Sequence, residues 1–211
     1  MYAKYIIIII YALIISAFLN FGCNSSSYKK EGNKDTVPAK SFNDYFPVNE
    51  GNKWEYVNEG PRDETELFKV EITSVKFNGS DLIAELNSFP FFSKQEEKAT
   101  LRIKPNGEVY LVNMQTQKDE LFIPETGNFK KEFQWQFGQW SGLIGGTNET
   151  IKAENETFNN CIFLNFSVFF TFSAEIWIAK DIGIVKWGYN RTNPPTFKPQ
   201  YYVLNKLSLA K

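Results

Sequence analysis

Ile162-Phe-Leu-Asn-Phe-Ser-Val-Phe-Phe-Thr-Phe172 settles the fold class. Ile162, Leu164, Phe166, Val168, Phe170 and Phe172 recur at a spacing of two, while Asn165, Ser167 and Thr171 punctuate the opposite face. Successive side chains alternate across a strand, whereas an amphipathic helix needs apolar residues three and four apart. The run therefore reads as a long strand with one face turned to a core.

The same period extends in both directions. Downstream come Glu175 to Lys180, a turn at Asp181, and Ile184 to Tyr189. After Pro194-Pro195 and Pro199, the segment Tyr201 to Leu209 places Tyr201, Val203, Leu207 and Leu209 on one side. Upstream, Lys53-Trp-Glu-Tyr-Val57 sets Trp54 and Tyr56 against Glu55. Phe68, Val70 and Ile72 are followed by Val75 and Phe77, a one-residue shift that predicts a bulge. Asn78-Gly79 and Pro105-Asn106-Gly107 are hairpin turns joining the strands around Leu82-Leu86, Ala99-Ile103 and Val109-Leu111. Pro90 is expected to end a strand, and Lys118 to Ile123 forms a shorter one closed by Pro124. Phe133, Trp135 and Phe137 share one face of the aromatic stretch 129–140, and Gly142, Gly145 and Gly146 read as a mobile loop after it. No stretch after the first 22 residues has helical spacing. The expectation is an all-β domain over residues 41–211, a curved antiparallel meander of about twelve strands forming a barrel or half-barrel.

The first 22 residues are different. Lys4 precedes an apolar run from Tyr5 to Leu19, and Gly22-Cys23 is followed by Asn24-Ser25-Ser26-Ser27. A basic start, an apolar run and a small residue before the cut describe a secretory signal, helical while it lasts. The run falls short of the roughly 20 residues that cross a bilayer as a helix. A Cys directly after the small residue marks lipidation at Cys23, with residues 1–22 removed. Residues 23–40 are almost free of apolar side chains and read as a flexible tether; the 17 residues after Cys23 would span roughly 20–25 Å as a coil.

Three separated segments carry a resemblance: Tyr45-Phe-Pro-Val-Asn-Glu-Gly-Asn-Lys-Trp-Glu-Tyr56, Glu156-Thr-Phe-Asn-Asn-Cys161, and Trp177 followed by Asp181-Ile-Gly-Ile-Val-Lys186. Together they resemble a broad group of uncharacterised bacterial envelope lipoproteins with a Tyr-Phe-Pro…Gly-Asn-x-Trp-x-Tyr opening, a Gly-Thr-Phe-x-x-Cys middle and a Val-Gly-x-Val-Lys close. Glu156 stands where that pattern has Gly. The resemblance implies a secreted all-β lipoprotein and supplies no catalytic residue. By architecture alone, the chain is also similar to half-barrel carriers of lipids and lipoproteins.

Composition narrows the chemistry. The chain has no histidine, which removes Ser-His-Asp and Cys-His catalysis and His-based zinc sites. A net charge of −1 gives no electrostatic case for nucleic acid. With Cys23 acylated, Cys161 has no disulfide partner, and at the head of an apolar strand it reads as a core residue. Glu175 and Asp181 flank a turn near Trp177, the only pairing that suggests a carboxylate hydrolase. Asp63-Glu64 and Glu96-Glu97 lack the alternating ligand spacing of a calcium loop. No cofactor and no metal site is expected.

Aromatic residues make up 17% of the chain, more than an ordinary core needs. They fill a large β core, line a cavity for a hydrophobic ligand, or stack on sugars through exposed Trp135 and Trp140, with Trp177 a third candidate contact. The reading is a non-catalytic lipoprotein of the bacterial cell envelope, anchored through Cys23 and facing the periplasm or cell surface, that binds a hydrophobic ligand or a protein partner. A carbohydrate-binding module is the alternative, and a His-free hydrolase the outsider.

Overall fold

Alternating apolar residues and short turns give an antiparallel ladder throughout the computed structural model, which describes residues 44–60, 67–90, 97–113, 116, 118–153, 155–168, 172–191 and 199–210. The signal segment, Cys23, the tether, Asp63-Glu64 and Glu96 lie outside the described residues. Twelve strands follow one another: β1 (Lys53–Asn58), β2 (Leu67–Asn78), β3 (Asp81–Leu86), β4 (Ala99–Ile103), β5 (Val109–Val112), β6 (Asp119–Ile123), β7 (Gln134–Phe137), β8 (Trp140–Lys152), β9 (Thr157–Val168), β10 (Phe172–Ala179), β11 (Gly183–Arg191) and β12 (Gln200–Ser208). They form one antiparallel sheet in the order β6-β5-β4-β3-β2-β1-β12-β11-β10-β9-β8-β7. The chain is thus a meander whose first and last strands pair, and the sheet curls into a nearly closed barrel.

Bulges supply the curvature. The shift expected in β2 occurs between Ile72 and Ser74. Beside it, Asn87 replaces the missing ladder partner: its side-chain oxygen accepts from the Glu71 amide (2.7 Å), and its own amide donates to the Glu71 carbonyl (3.1 Å). A second shift, between Glu55 and Tyr56, makes Asn205 the extra residue of β12. Consequently Tyr202 and Leu204 face the interior before Asn205, and Leu207 pairs with Trp54 after it. Tyr201 and Val203 were expected on the same side as Leu207. They lie on the opposite face, because the bulge inverts the alternation.

The glycine-rich stretch also departs from expectation. β8 is continuous through Gly142, Gly145 and Gly146. At position 142 a Cβ would lie 2.3 Å from the Trp135 indole, and at 145 it would lie 2.5 Å from the Phe163 ring. Gly142 and Gly145 are bare strand backbone on which neighbouring rings rest, and the rings cover what the missing side chains leave open.

Rings meet across the interior. Phe122 of β6 stacks on Phe166 of β9 at 5.3 Å and 6°, and Phe137 of β7 contacts both. On the other side, Trp187 stacks on Tyr202 at 4.3 Å and meets Phe68 at 4.9 Å and Tyr56 at 6.3 Å. Burial of each such ring contributes about 2–3 kcal/mol. The entry segment before β1 closes one end. Phe46 stacks on Trp54, Trp54 donates to the Ile182 carbonyl (2.7 Å), and Tyr56 donates to the Ile184 carbonyl (3.0 Å). Asn52 is fully buried and ties both termini, donating to the Pro47 carbonyl and accepting from the Ala210 amide. Gly183, at φ +97°, allows the tight turn beneath Trp54.

Candidate functional site

Outward-facing positions in β9–β12 ought to be polar, yet three are aromatic. Phe163 pairs with Trp177, Trp177 pairs with Lys186, and Gly188 pairs with Tyr201. On the face opposite Leu164, Ile176, Trp187 and Tyr202, these side chains form a ladder across four strands. Phe163 stacks on Trp177 at 4.7 Å and 15°, and Tyr201 meets Trp177 edge-on at 6.0 Å. The Lys186 ammonium lies 5.5 Å from the Trp177 ring centroid and 4.8 Å from that of Tyr201. Two glycines make room: Gly145 under Phe163, and Gly188, where a Cβ would be 2.3 Å from Tyr201.

Carboxylates complete the group. Glu59 holds Lys186 at 2.6 Å, and Glu175 accepts from the Tyr201 hydroxyl at 2.7 Å. Burial, together with that bond to Glu175, pushes the Tyr201 phenol well above its ordinary range. A cation over an aromatic face contributes about 0.5–2 kcal/mol, and a partly exposed ion pair about 0–1 kcal/mol. The ladder is therefore a rigid surface whose ring edges and charged heads can be recognised. Lys186 and Tyr201 each have a carboxylate partner in the fold.

The three tryptophans singled out from the sequence are not brought together. Trp177 is the centre of this ladder. Trp135 is on the inner face, edge-on to Phe166 at 5.6 Å, with its indole N–H donating to the Leu121 carbonyl of β6 at 3.0 Å. Trp140 begins β8 and contacts Phe172, which stacks on Tyr189. All three are half-buried and packed against the core. Sequence reasoning missed Phe163, Lys186, Tyr201, Glu59 and the two glycines beneath the rings. The available signal was Phe163 itself, an aromatic between Ile162 and Leu164 where the alternation calls for a polar residue.

The other candidate groups are separate. Cys161 is fully buried, its thiol faces the Phe158 carbonyl at 3.5 Å, and burial pushes its pKa up to about 11. A thiol that stays protonated at neutral pH is a weak nucleophile. Glu175 and Asp181 are separated by the rest of β10, four residues or roughly 13 Å of strand rise before the turn begins. Glycosidase carboxylates stand about 5–9.5 Å apart. In the interior, a cavity of about 10 Å³ lies against Phe46, Trp54, Tyr56, Val70, Phe89 and Ile184. It has room for about one water, far below the roughly 300 Å³ of a small-molecule pocket.

The sequence matches no protein-family model and no curated protein. Two solved structures are similar to it. One is a protein from Bacteroides fragilis described as exported, with a YmcC-like fold: TM-score 0.49 and 12% identity, covering 78% of this chain and 99% of that one. The other is a protein from Parabacteroides distasonis described as a lipoprotein: TM-score 0.48 and 15% identity, covering 79% of this chain and 99% of that one.

Proposed function

We propose that this chain is a lipid-anchored, non-catalytic β domain of the bacterial envelope, held at a membrane through Cys23 and recognising a protein partner on its surface. The anchoring half of the reading is supported by the Gly22-Cys23 leader and the polar segment after it. The non-catalytic half is supported by one observation: the reactive groups near the outer ladder are engaged in holding the fold. Lys186 is paired with Glu59, Tyr201 with Glu175, and the one thiol of the β domain is buried and protonated.

A surface partner draws more support than an enclosed hydrophobic ligand, because rings meet across the described interior, Phe122 with Phe166 and Phe137 and Trp187 with Tyr202 and Phe68. The carbohydrate reading needs a free ring face. Trp177 has Phe163 on one side and Lys186 on the other, as their strand order requires, and Trp135 is held across the sheet edges. Labelling growing cells with radioactive palmitate tests the anchor. Label is expected in the intact protein and absent from Cys23→Ser; equal labelling of both, or of neither, overturns it.

A further inference from the structure

We propose that the end of the barrel where the tether joins is a membrane-contacting surface, with Phe77 and Leu209 entering the lipid interface. This rests on anchoring at Cys23 and adds which end of the domain faces the bilayer. In a meander, strands alternate in direction, so the entry segment, the β2–β3, β4–β5 and β10–β11 turns and the end of β12 all collect at one end. The register agrees. Lys53 opposes Ser208, the Asp181 amide donates to the Asp44 carbonyl at 2.6 Å, and Lys180 pairs with Asp44 at 3.4 Å. Asp44, the first described residue after Cys23, lies at this end.

Among the described residues, two large apolar side chains are exposed: Phe77 at 57% and Leu209 at 44%. Both belong to this end. β2 runs on past the first residue of β1, which pairs with Glu71, and Phe77 lies six residues further along, roughly 20 Å of strand rise toward the hairpin turn. Such an extension reaches outward from the rim. Two cations beside these residues are paired with carboxylates: Lys76 with Glu85 at 3.1 Å and Lys53 with Glu71 at 3.0 Å. The proposed contact is apolar and is expected without anionic lipid.

The test uses the lipidated mature protein in phosphatidylcholine vesicles. A polarity-sensitive fluorophore is placed at Phe77→Cys, at Leu209→Cys and, as a control, at Thr116→Cys, an exposed turn position at the opposite end. Cys161 is buried and does not compete for label in the folded protein. Blue-shifted emission and quenching by bromolipids are expected at 77 and 209 and not at 116, with little change on adding phosphatidylglycerol. Labels that stay aqueous at 77 and 209, or that respond alike at all three positions, overturn the proposal. A shift seen in native envelopes but absent from vesicles also overturns it and assigns the surface to a protein. Palmitate content is measured on the same preparations, so failure of the anchor is read separately from failure of the contact.

Discussion

The sheet has two places where it can close, and they are built differently. At β1–β12, strands from opposite ends of the domain form a backbone ladder from Lys53↔Ser208 to Asn58↔Tyr202, and the flanking side chains Trp54, Tyr56 and Asn52 add hydrogen bonds to distant carbonyls and an amide. At β6–β7, strands separated only by residues 124–133 are the two edges of the sheet. They are joined by the Trp135–Leu121 hydrogen bond and the Phe122–Phe137 ring contact. Nearness in sequence did not produce a ladder. The Glu132 amide bonds to the Ile144 carbonyl and the Ile144 amide to the Phe133 carbonyl, which commits the incoming chain to β8. A seam held by side chains opens more cheaply than one held by a ladder, and both edges carry polar residues, Asp119 and Glu120 on one and Gln134 and Gln136 on the other.

The largest effect is expected at the strong junction. Tyr56→Ala removes a buried ring and the bond to Ile184, and should cost about 3–5 kcal/mol in urea unfolding, with loss of the whole transition rather than of one part. Gly142→Ala should cost about 1–3 kcal/mol, because the new Cβ forces the Trp135 indole off the strand and away from Leu121. Trp135→Phe keeps a ring on Gly142 but lacks the N–H, and should cost about 1 kcal/mol. In both seam variants, hydrogen exchange should accelerate in β6 and β7 while β1 and β12 remain protected. Equal acceleration at both junctions would mean that the two closures are one cooperative unit.

Much of this was legible. The period-two faces, the shift after Ile72 and the turns at Asn78-Gly79 and Pro105-Asn106-Gly107 all correspond to what is observed, because each is a local rule acting on adjacent residues. Two features were not. Asn205 carries no mark of a bulge, since Tyr202, Val203 and Leu204 are apolar on both faces and only pairing with β1 decides which side is inside. Gly142, Gly145 and Gly146 look like loop residues until their strand pairing is known, and the rings that cover Gly142 and Gly145 come from neighbouring strands. The outer ladder was half-visible for the same reason: Trp177 was noticed as an aromatic beside a turn, but its neighbours are set by register across four strands. The opening and closing segments of the resemblance do meet, through Trp54 with Ile182 and Tyr56 with Ile184, which gives those residues an architectural task.

Pairing β1 with β12 also has a kinetic consequence. Tyr56 and Ile184 are 128 residues apart, and the strands between them form pairs with near neighbours long before that contact can be made. Folding rates fall as contacting residues lie further apart in sequence, so closure at β1–β12 should be late and slow. Until β12 arrives, β1 and β11 each present an unpaired edge, open to pairing with another chain. During synthesis, this domain is most exposed to aggregation in the interval before its last nine-residue strand is delivered.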